Sequence, residues 1–157
     1  MLSQSGGLSS GTAGPRPRLG DLLVAKGMIT EAQLKEALAL SYQSGELLGR
    51  VLLGKRWIFE DELARTLAQQ LDLPYVNLRH AGTDAAVARL VPSATGRQVG
   101  AIPVGFRGER IRVAFADPMD EAAIEAIGRY LRHFECVVAE LSDIDQAWRT
   151  LDSGGTS

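Results

Sequence analysis

The sequence has a single cysteine, Cys136, and no long hydrophobic run. One cysteine excludes an internal disulfide and a cysteine-based metal cluster, so we expect Cys136 to be a buried small apolar residue in a reducing compartment. A membrane-spanning helix needs about 20 consecutive apolar residues, and no stretch approaches that length. The first residues also lack the basic and then apolar layout of a signal peptide. These absences favour a cytoplasmic protein.

An excess of charge of one sign is also missing. The 157 residues include 17 Lys and Arg against 19 Asp and Glu, which gives a net charge of −2 without a basic run. Extended nucleic acids and anionic membrane surfaces are therefore unfavourable partners. We expect no DNA or RNA partner and no insertion into a membrane, whereas a short anionic ligand held by a few residues stays open.

Catalytic motifs are absent as well. The sequence has no G-x-x-x-x-G-K-[ST] phosphate loop, no G-x-S-x-G elbow and no H-E-x-x-H pair. The two histidines, His80 and His133, lie far apart in the sequence. No nucleophile, base or metal-ligand cluster has a convincing setting, which also disfavours a phosphodiesterase. We therefore expect a protein that is not an enzyme and that needs no metal or cofactor.

What the sequence does contain is an internal repeat. The pattern that begins at Arg18-Leu19-Gly20 returns 29 residues later, with Leu48 and Gly49 in the places of Leu19 and Gly20. Two matched units of this size predict two similar half-sites side by side, which suits a ligand that is itself a symmetric dimer. Further matched pairs are Leu23 with Leu52, Ile29 with Ile58, Leu34 with Leu63, and Leu38 with Leu67.

The first copy of the repeat is predicted to form two helices. Apolar residues at helical spacing indicate a short helix over 19–26, and Gly27 provides its stop. Thr30 then opens a second helix, with Gln33 three residues later in a capping-box arrangement. Gly45 ends that helix.

The second copy repeats the scheme with helices over 48–55 and 60–71. It departs from the first copy where the first is best capped, because Arg56 replaces a glycine and Phe59 replaces the capping threonine. We expect a less regular helix start at this junction, with Phe59 packing as a hydrophobic staple.

The rest of the chain divides into parts of different composition. Residues 1–17 are rich in Gly, Ser, Thr and Pro and are expected to be a disordered arm, as are residues 152–157 at the other end. Residues 18–74 form the tandem-motif helical subdomain, and residues 75–151 form a small α+β subdomain. The predicted fold class is α+β, in which four helices precede a small α/β subdomain with a three- to four-stranded sheet.

After residue 74 the pattern alternates between short strands and helices. The segment Arg107-Gly108-Glu109 is typical of a hairpin turn. The predicted strands are 75–78, 101–106, 110–115 and 135–140. The predicted helices are 84–90 and 120–131, with a short helical turn that begins at Pro92. A last helix is predicted to be capped by Ser142 with Asp145 and to run through Trp148.

The leucine-glycine pairs of the repeat are the candidate binding elements. Each pair lies at the opening of a helix, where free N–H groups and the positive end of the helix dipole favour a phosphate. Arg18 adds a guanidinium that can form bidentate hydrogen bonds with a phosphate or with a guanine. Four leucines would offer apolar surface to purine rings, namely Leu19, Leu23, Leu48 and Leu52. The alternative is that both glycines only allow close helix packing and that all the leucines are core residues.

These residues resemble a known family. The stretches 18–41 and 47–70 are similar to the tandem 24-residue motifs of the MshEN-type cyclic di-GMP-binding domain. That domain is the N-terminal module of type II secretion and type IV pilus assembly ATPases. The resemblance extends from residue 18 to residue 151, with further matches over 70–78, 102–104 and 113–120.

The resemblance implies that each motif holds one guanine-phosphate half of cyclic di-GMP. Ser41 stands where the family's first motif usually has glutamine, and Arg56 stands where the second usually has glycine. Asp117, in an Ala-Asp-Pro segment, is expected to orient Arg18. The implied ligand-binding residues are Arg18, Leu19, Gly20, Leu23, Leu34, Leu38 and Ser41 in the first half, and Leu48, Gly49, Leu52, Leu63, Leu67 and Gln70 in the second.

Two functions remain open at this point. The first is a non-catalytic cyclic di-GMP receptor that couples ligand binding to a partner protein of a secretion, pilus or motility system. The second is a protein-docking adaptor of such a machine that binds no nucleotide and uses the repeat only for packing. The sequence lacks the ATPase phosphate loop, so we expect no ATP hydrolysis by that mechanism, and either a free-standing receptor or an excised module fits.

Overall fold

The structure, a computed structural model, describes residues 18–154. The predicted disordered arm, 1–17, lies outside the described residues, and so do residues 155–157 of the predicted tail. The described chain is α+β, as the sequence predicts. Its elements are α1 (Leu19–Ala25), α2 (Glu31–Ser44), α3 (Leu48–Gly54), α4 (Glu60–Leu71), α5 (Leu78–Ala81), α6 (Ala85–Ala88), α7 (Ser93–Val99), β1 (Ala101–Arg107), β2 (Arg110–Phe115), α8 (Glu121–Gly128), β3 (Phe134–Val138) and α9 (Leu141–Asp152).

The helices of the first copy begin and end at the predicted signals. The Thr30 hydroxyl accepts a hydrogen bond from the Gln33 N–H at 3.0 Å, and Gln33 Oε1 accepts one from the Thr30 N–H at 2.9 Å. The predicted capping box at the start of α2 is therefore confirmed. Gly27 after α1 and Gly45 after α2 have φ values of 74° and 77°, in the left-handed region that favours glycine.

The second copy contains the two predicted helices, α3 and α4, but its junction differs from the prediction. Arg56 has φ 61°, so it adopts the left-handed turn for which the first copy uses glycine. The prediction that Phe59 packs as a staple is wrong, because its side chain is 66% exposed. Trp57 and Ile58 fill the core-facing positions of this junction instead.

The sheet has the order β1-β2-β3, with β1 and β2 antiparallel and β2 and β3 parallel. The predicted hairpin is confirmed. The prediction of a fourth strand over 75–78 is wrong, because only Tyr75 pairs there, through a single bridge to Val138. The segment turns away because Asn77 caps α5, and its Oδ1 accepts a hydrogen bond from the Arg79 N–H at 3.0 Å.

The start of α9 is capped from a distant part of the chain. The prediction that Ser142 caps this helix is wrong, because α9 begins at Leu141 and Ser142 lies within its first turn. The Glu60 carboxylate of α4 accepts hydrogen bonds from the Ser142 N–H at 2.8 Å and from its hydroxyl at 2.9 Å. A repeat helix therefore provides the acceptor for the first turn of α9.

Two further contacts hold the start of α9, the first of them to the repeat. Arg50 of α3 donates to both oxygens of Asp145, at 2.7 and 3.2 Å. The Tyr75 hydroxyl donates to Glu140 at 2.5 Å, and this bond is the main reason that the pKa of Tyr75 rises to about 12. Such bidentate and charge-assisted bonds fix orientation as well as adding stability.

The core of the described residues consists of three clusters of buried side chains. One lies among the repeat helices and includes Val138 at the end of β3. A second lies between α9 and one face of the sheet, where the Trp148 indole N–H donates to the Ala101 carbonyl at 2.9 Å. The third packs α8 on the other face around Phe115. Cys136 belongs to this third cluster but is only partly buried, which corrects the prediction of a buried thiol.

Replacing Gly96 tests the packing between α7 and α9. A Cβ at this position would lie 2.6 Å from Cε2 of Trp148 and 2.7 Å from the Ala101 carbonyl oxygen, and the hydrogen bond between those two groups keeps both in place. We expect Gly96→Ala to lower the free energy of unfolding by about 1–3 kcal/mol, measured by chemical denaturation. Gly54→Ala is the matched control, because a Cβ there would meet no described atom within 4 Å apart from its chain neighbours and the backbone of its own helix. Equal stability of the two variants would contradict the packing.

Candidate functional site

The two copies of the repeat lie side by side. A Cβ placed on Gly49 of the second copy would lie 3.9 Å from Leu19 Cδ2 of the first copy and 3.8 Å from Leu63 Cδ2. At the other end of α3, Lys55 Nζ lies 3.0 Å from Glu36 Oε2 of α2. The structure therefore brings the two motifs together as adjacent units, as two half-sites of one ligand site require.

Most motif leucines are core residues. The expectation that Leu19, Leu23 and Leu52 offer open apolar surface is corrected by the structure, because each short helix buries its apolar stripe against the other repeat helices. Burial of these side chains stabilises the fold whether or not a ligand is bound. The exposed fractions are 3% for Leu19, 5% for Leu63, and 0% for Leu23, Leu52 and Leu67.

The two motif glycines differ in their surroundings. Gly20 is buried, and a Cβ there would collide with Cδ1 of Leu34. Close packing against the Leu34 side chain thus favours a glycine in the first copy. Gly49 is partly exposed, and its nearest side chains lie at ordinary contact distance. Only the second glycine leaves its backbone approachable in this conformation.

Seven of the predicted site residues within the two motifs keep accessible surface. Arg18 is exposed, precedes α1 in an extended conformation and makes no ion pair or side-chain hydrogen bond within residues 18–154. Neither Arg18 nor Leu47, at the matching place before α3, provides a side-chain cap. The exposed members are Arg18, Leu38 and Gln70, and the partly exposed members are Leu34, Ser41, Leu48 and Gly49.

Ser41 is the accessible member that already has a partner. Its hydroxyl donates to the Glu46 carbonyl at 2.5 Å and so helps to shape the loop between the two copies. Leu38, one turn earlier on α2, is 49% exposed. The first copy therefore offers an apolar contact and a hydroxyl that is engaged within the protein.

The structure does not pair Asp117 with Arg18. Within residues 18–154, no ion pair joins the two side chains. Asp117 Oδ1 instead accepts a hydrogen bond from the Met119 N–H at 2.9 Å. Burial is the main cause that raises the pKa of this carboxyl to about 6. Met119 packs against the repeat core, so the loop lies beside the repeat, and the orienting role of Asp117 stays a prediction.

Sequence reasoning missed the residues that anchor the second copy. Arg50 and Glu60 hold the first turns of α9, whereas the matching residues of the first copy, Asp21 and Glu31, are exposed. The change from Asp21 to Arg50 reverses the charge between otherwise similar copies, and this signal was visible in the sequence. Its partner, Asp145, lies 95 residues further along the chain, so the sequence could not identify the contact.

Other kinds of site are not found in the described residues. Residues 18–154 contain no group of three or more His, Cys, Asp or Glu side chains placed to share a metal ion. No helix in that range is both long and apolar enough to cross a membrane. A surface hollow beside residues 81–86 and Val104 lies outside the repeat, and its one acidic side chain, Asp84, already caps α6.

Comparison with known proteins decides the family. The pattern of the MshEN domain matches residues 71–157, which is more than half of the chain. The chain belongs to the MshEN domain family. That match begins after the repeat, but a structure of MshE with cdg, cyclic di-GMP, is similar over 87% of this chain and 99% of its own, at 36% identity and a TM-score of 0.63. This likeness includes repeat residues.

Other relatives of this MshEN domain are the N-terminal domain of XpsE and two type IV pilus assembly ATPases. The N-terminal domain of XpsE is 27% identical, with a TM-score of 0.59 over 81% of this chain and 89% of that one. The type IV pilus assembly ATPase PilB of Thermus thermophilus is 32% identical over 136 residues, which are 85% of this chain and 14% of the ATPase. PilB of Myxococcus xanthus is 30% identical over 132 residues, 83% of this chain and 23% of the relative. The chain thus spans less than a quarter of either ATPase.

The raised pKa of Asp117 can be measured by carboxyl NMR titration. The pKa of this carboxyl rises from its ordinary value of 3.8 to about 6 in the fold. Its contribution to the free energy of unfolding is therefore greatest below about pH 4 and is lost as the pH rises through 6. Asp117→Asn should remove on the order of 2–3 kcal/mol of that pH dependence between pH 4 and 7. Asp61→Asn is the control, because it makes the same substitution at an exposed carboxylate. Titration of Asp117 near pH 4 would contradict the account.

Proposed function

We propose that this MshEN domain is a receptor for cyclic di-GMP and catalyses no reaction itself. The observation that carries the proposal is the duplicated motif, whose two copies lie side by side in a chain 36% identical to MshE, a protein solved with that ligand. Cyclic di-GMP consists of two identical guanosine-phosphate halves. Two adjacent copies of one motif match that symmetry.

The accessible motif residues are the ones that would contact the ligand. Arg18 has an exposed guanidinium without a partner in the described chain, and a guanidinium forms bidentate bonds to phosphate or to the O6/N7 edge of guanine. Leu38 and Leu48 offer apolar surface to the purine faces, and the backbone at Gly49 is open to approach. The buried leucines set the distance between these groups, and a direct contact of theirs with the ligand stays a prediction.

The two half-sites differ in their polar side chains. Arg18 has Leu47 as its counterpart 29 residues later, and Gln70 has Ser41 as its counterpart 29 residues earlier. Each copy therefore carries one long polar side chain where the other carries a short or apolar one. We infer that the two halves of the ligand are held by different contacts, Arg18 on one and Gln70 on the other.

A partner protein would respond to the bound state. We propose that this partner belongs to a secretion, pilus or motility system and that the domain works in the cytoplasm. The support is that the matched relatives are pilus assembly ATPases. The region similar to this chain makes up 14% of the Thermus thermophilus protein and 23% of the Myxococcus xanthus protein. Arg50 and Glu60 fix the second copy to α9, so a ligand that orders the first copy against the second would alter the surface that the domain presents.

A protein-docking adaptor without a nucleotide ligand is the second candidate function. The observation that favours it is the burial of five motif leucines and Gly20, which gives the repeat a packing role in the absence of any ligand. The two functions differ in what they require of Arg18. An adaptor does not need an exposed arginine before α1, whereas the receptor does.

Calorimetry with cyclic di-GMP separates these functions. We expect the native chain to bind the ligand, and Arg18→Ala to weaken binding by about 1–3 kcal/mol because a bidentate contact is lost. Arg89→Ala is the matched control, since this arginine is exposed but lies outside the repeat. No binding by the native chain at about 100 μM ligand would count against the receptor and favour the adaptor.

A gain of affinity tests the assignment of position 41. Ser41→Gln restores the side chain usual at this place in the first motif and should tighten cyclic di-GMP binding by about 0.5–1.5 kcal/mol, the net contribution of one added hydrogen bond. Ser44→Gln is the control on the same helix, because its exposed hydroxyl also donates to a backbone carbonyl, that of Leu40 at 2.8 Å. Equal affinities of the two variants would contradict the assignment.

A further inference from the structure

The end of the sheet farthest from the repeat carries exposed arginines. Arg107 and Arg110 flank the hairpin turn, are both exposed and face each other in the register of β1 and β2. Like charges directly opposite each other on paired strands are destabilising. Within residues 18–154 neither arginine has an ion-pair partner, and the acid of the turn, Glu109, pairs with neither. Phe106, next to them, is 61% exposed.

The loop that enters β3 adds to this surface. Strands β2 and β3 are parallel, with Ile111 opposite Phe134, so the residues before Phe134 lie at the same end of the sheet as the hairpin turn. Arg132 and His133 are exposed there, and Tyr130 is 48% exposed. We define the basic tip as Phe106, Arg107, Arg110, Tyr130, Arg132 and His133.

The positive charge of the basic tip is not balanced locally. Residues 106–112 and 129–135 together contain five arginines and one histidine against two glutamates. One of these arginines, Arg129, lies 3.7 Å from Glu125 of α8. The rest of residues 75–154 contains four arginines and nine Asp or Glu residues. The second part of the domain is therefore basic at one end of the sheet and acidic elsewhere.

We propose that the basic tip docks a short acidic segment of a partner protein, one that also carries apolar side chains. Carboxylates of such a segment would pair with the guanidinium groups, and the exposed rings of Phe106 and Tyr130 would cover its apolar side chains. A nucleic acid strand or an anionic bilayer extends beyond the basic tip, onto surface where acidic residues repel it. A short segment meets only the basic surface.

The basic tip and the repeat lie at opposite ends of the sheet. The far end of β3 places Val138 in the repeat core, and the six residues of β2 span about 20 Å at the usual rise of a strand. A segment docked on the basic tip would leave the repeat open. This inference therefore goes beyond ligand binding and does not depend on it.

Fluorescence anisotropy with a defined peptide tests the docking. The probe is a fluorescein-labelled 12-residue peptide of Asp and Glu with two Phe, and its reference replaces the acids by Asn and Gln. We expect the full chain to bind the acidic peptide, to bind it less tightly as salt rises, and not to bind the reference. Arg107→Gln combined with Arg110→Gln should weaken binding about tenfold, whereas the matched double variant Arg65→Gln with Arg89→Gln should change it less than about twofold.

A charge reversal separates docking from a structural role. Arg107→Glu replaces the like-charge pair by an attractive pair with Arg110, so the thermal midpoint should stay at or rise above the native value while peptide binding is lost. The proposal is overturned if the acidic peptide does not bind at about 1 mM, or if both double variants weaken it equally. It is also overturned if phosphatidylglycerol vesicles or a single-stranded oligonucleotide bind at the basic tip and the peptide does not.

Discussion

The apolar stripes of the repeat helices have to be buried, and none of these short helices can bury its stripe alone. Helices α1 and α3 are seven residues each, too short to be stable in isolation, so they pack on α2, α4 and the end of β3. The duplicated leucines provide this packing. Because the two copies share one core with Val138 of the sheet, the repeat and the α+β part hold each other in place.

A division between buried and accessible motif residues follows from this constraint. The buried leucines fix the relative position of the copies, and the accessible groups around them, with Arg18 and Gln70 at opposite ends of the motif pattern, are free to meet a ligand. Within residues 18–154, the polar anchors from the repeat to α9 lie in the second copy, at Arg50 and Glu60. The duplication therefore combines one copy that is tied to α9 by polar contacts with one that, within residues 18–154, is held mainly by apolar contacts.

The parts of the fold that depend on local signals could be predicted from the sequence. The Thr30–Gln33 capping box, the glycine stops and the hairpin turn each depend on residues a few positions apart. The cap of α9 could not be predicted, because its acceptor, Glu60, is 82 residues away. At the site, a leucine on a helical stripe has the same spacing whether it faces a ligand or a neighbouring helix, so burial of Leu19, Leu23 and Leu52 had to be observed. The resemblance identified the family, but only the structure distinguishes the buried motif residues from the accessible ones.

The central claim is that both copies share one cyclic di-GMP molecule, and an NMR titration of the native chain with this ligand tests it most directly. The account predicts saturation at one ligand per chain, with shifts in both copies, at Leu38 and at Gln70, and much weaker binding of the mononucleotide GMP. Shifts confined to one copy, or GMP binding as tightly as cyclic di-GMP, would contradict it.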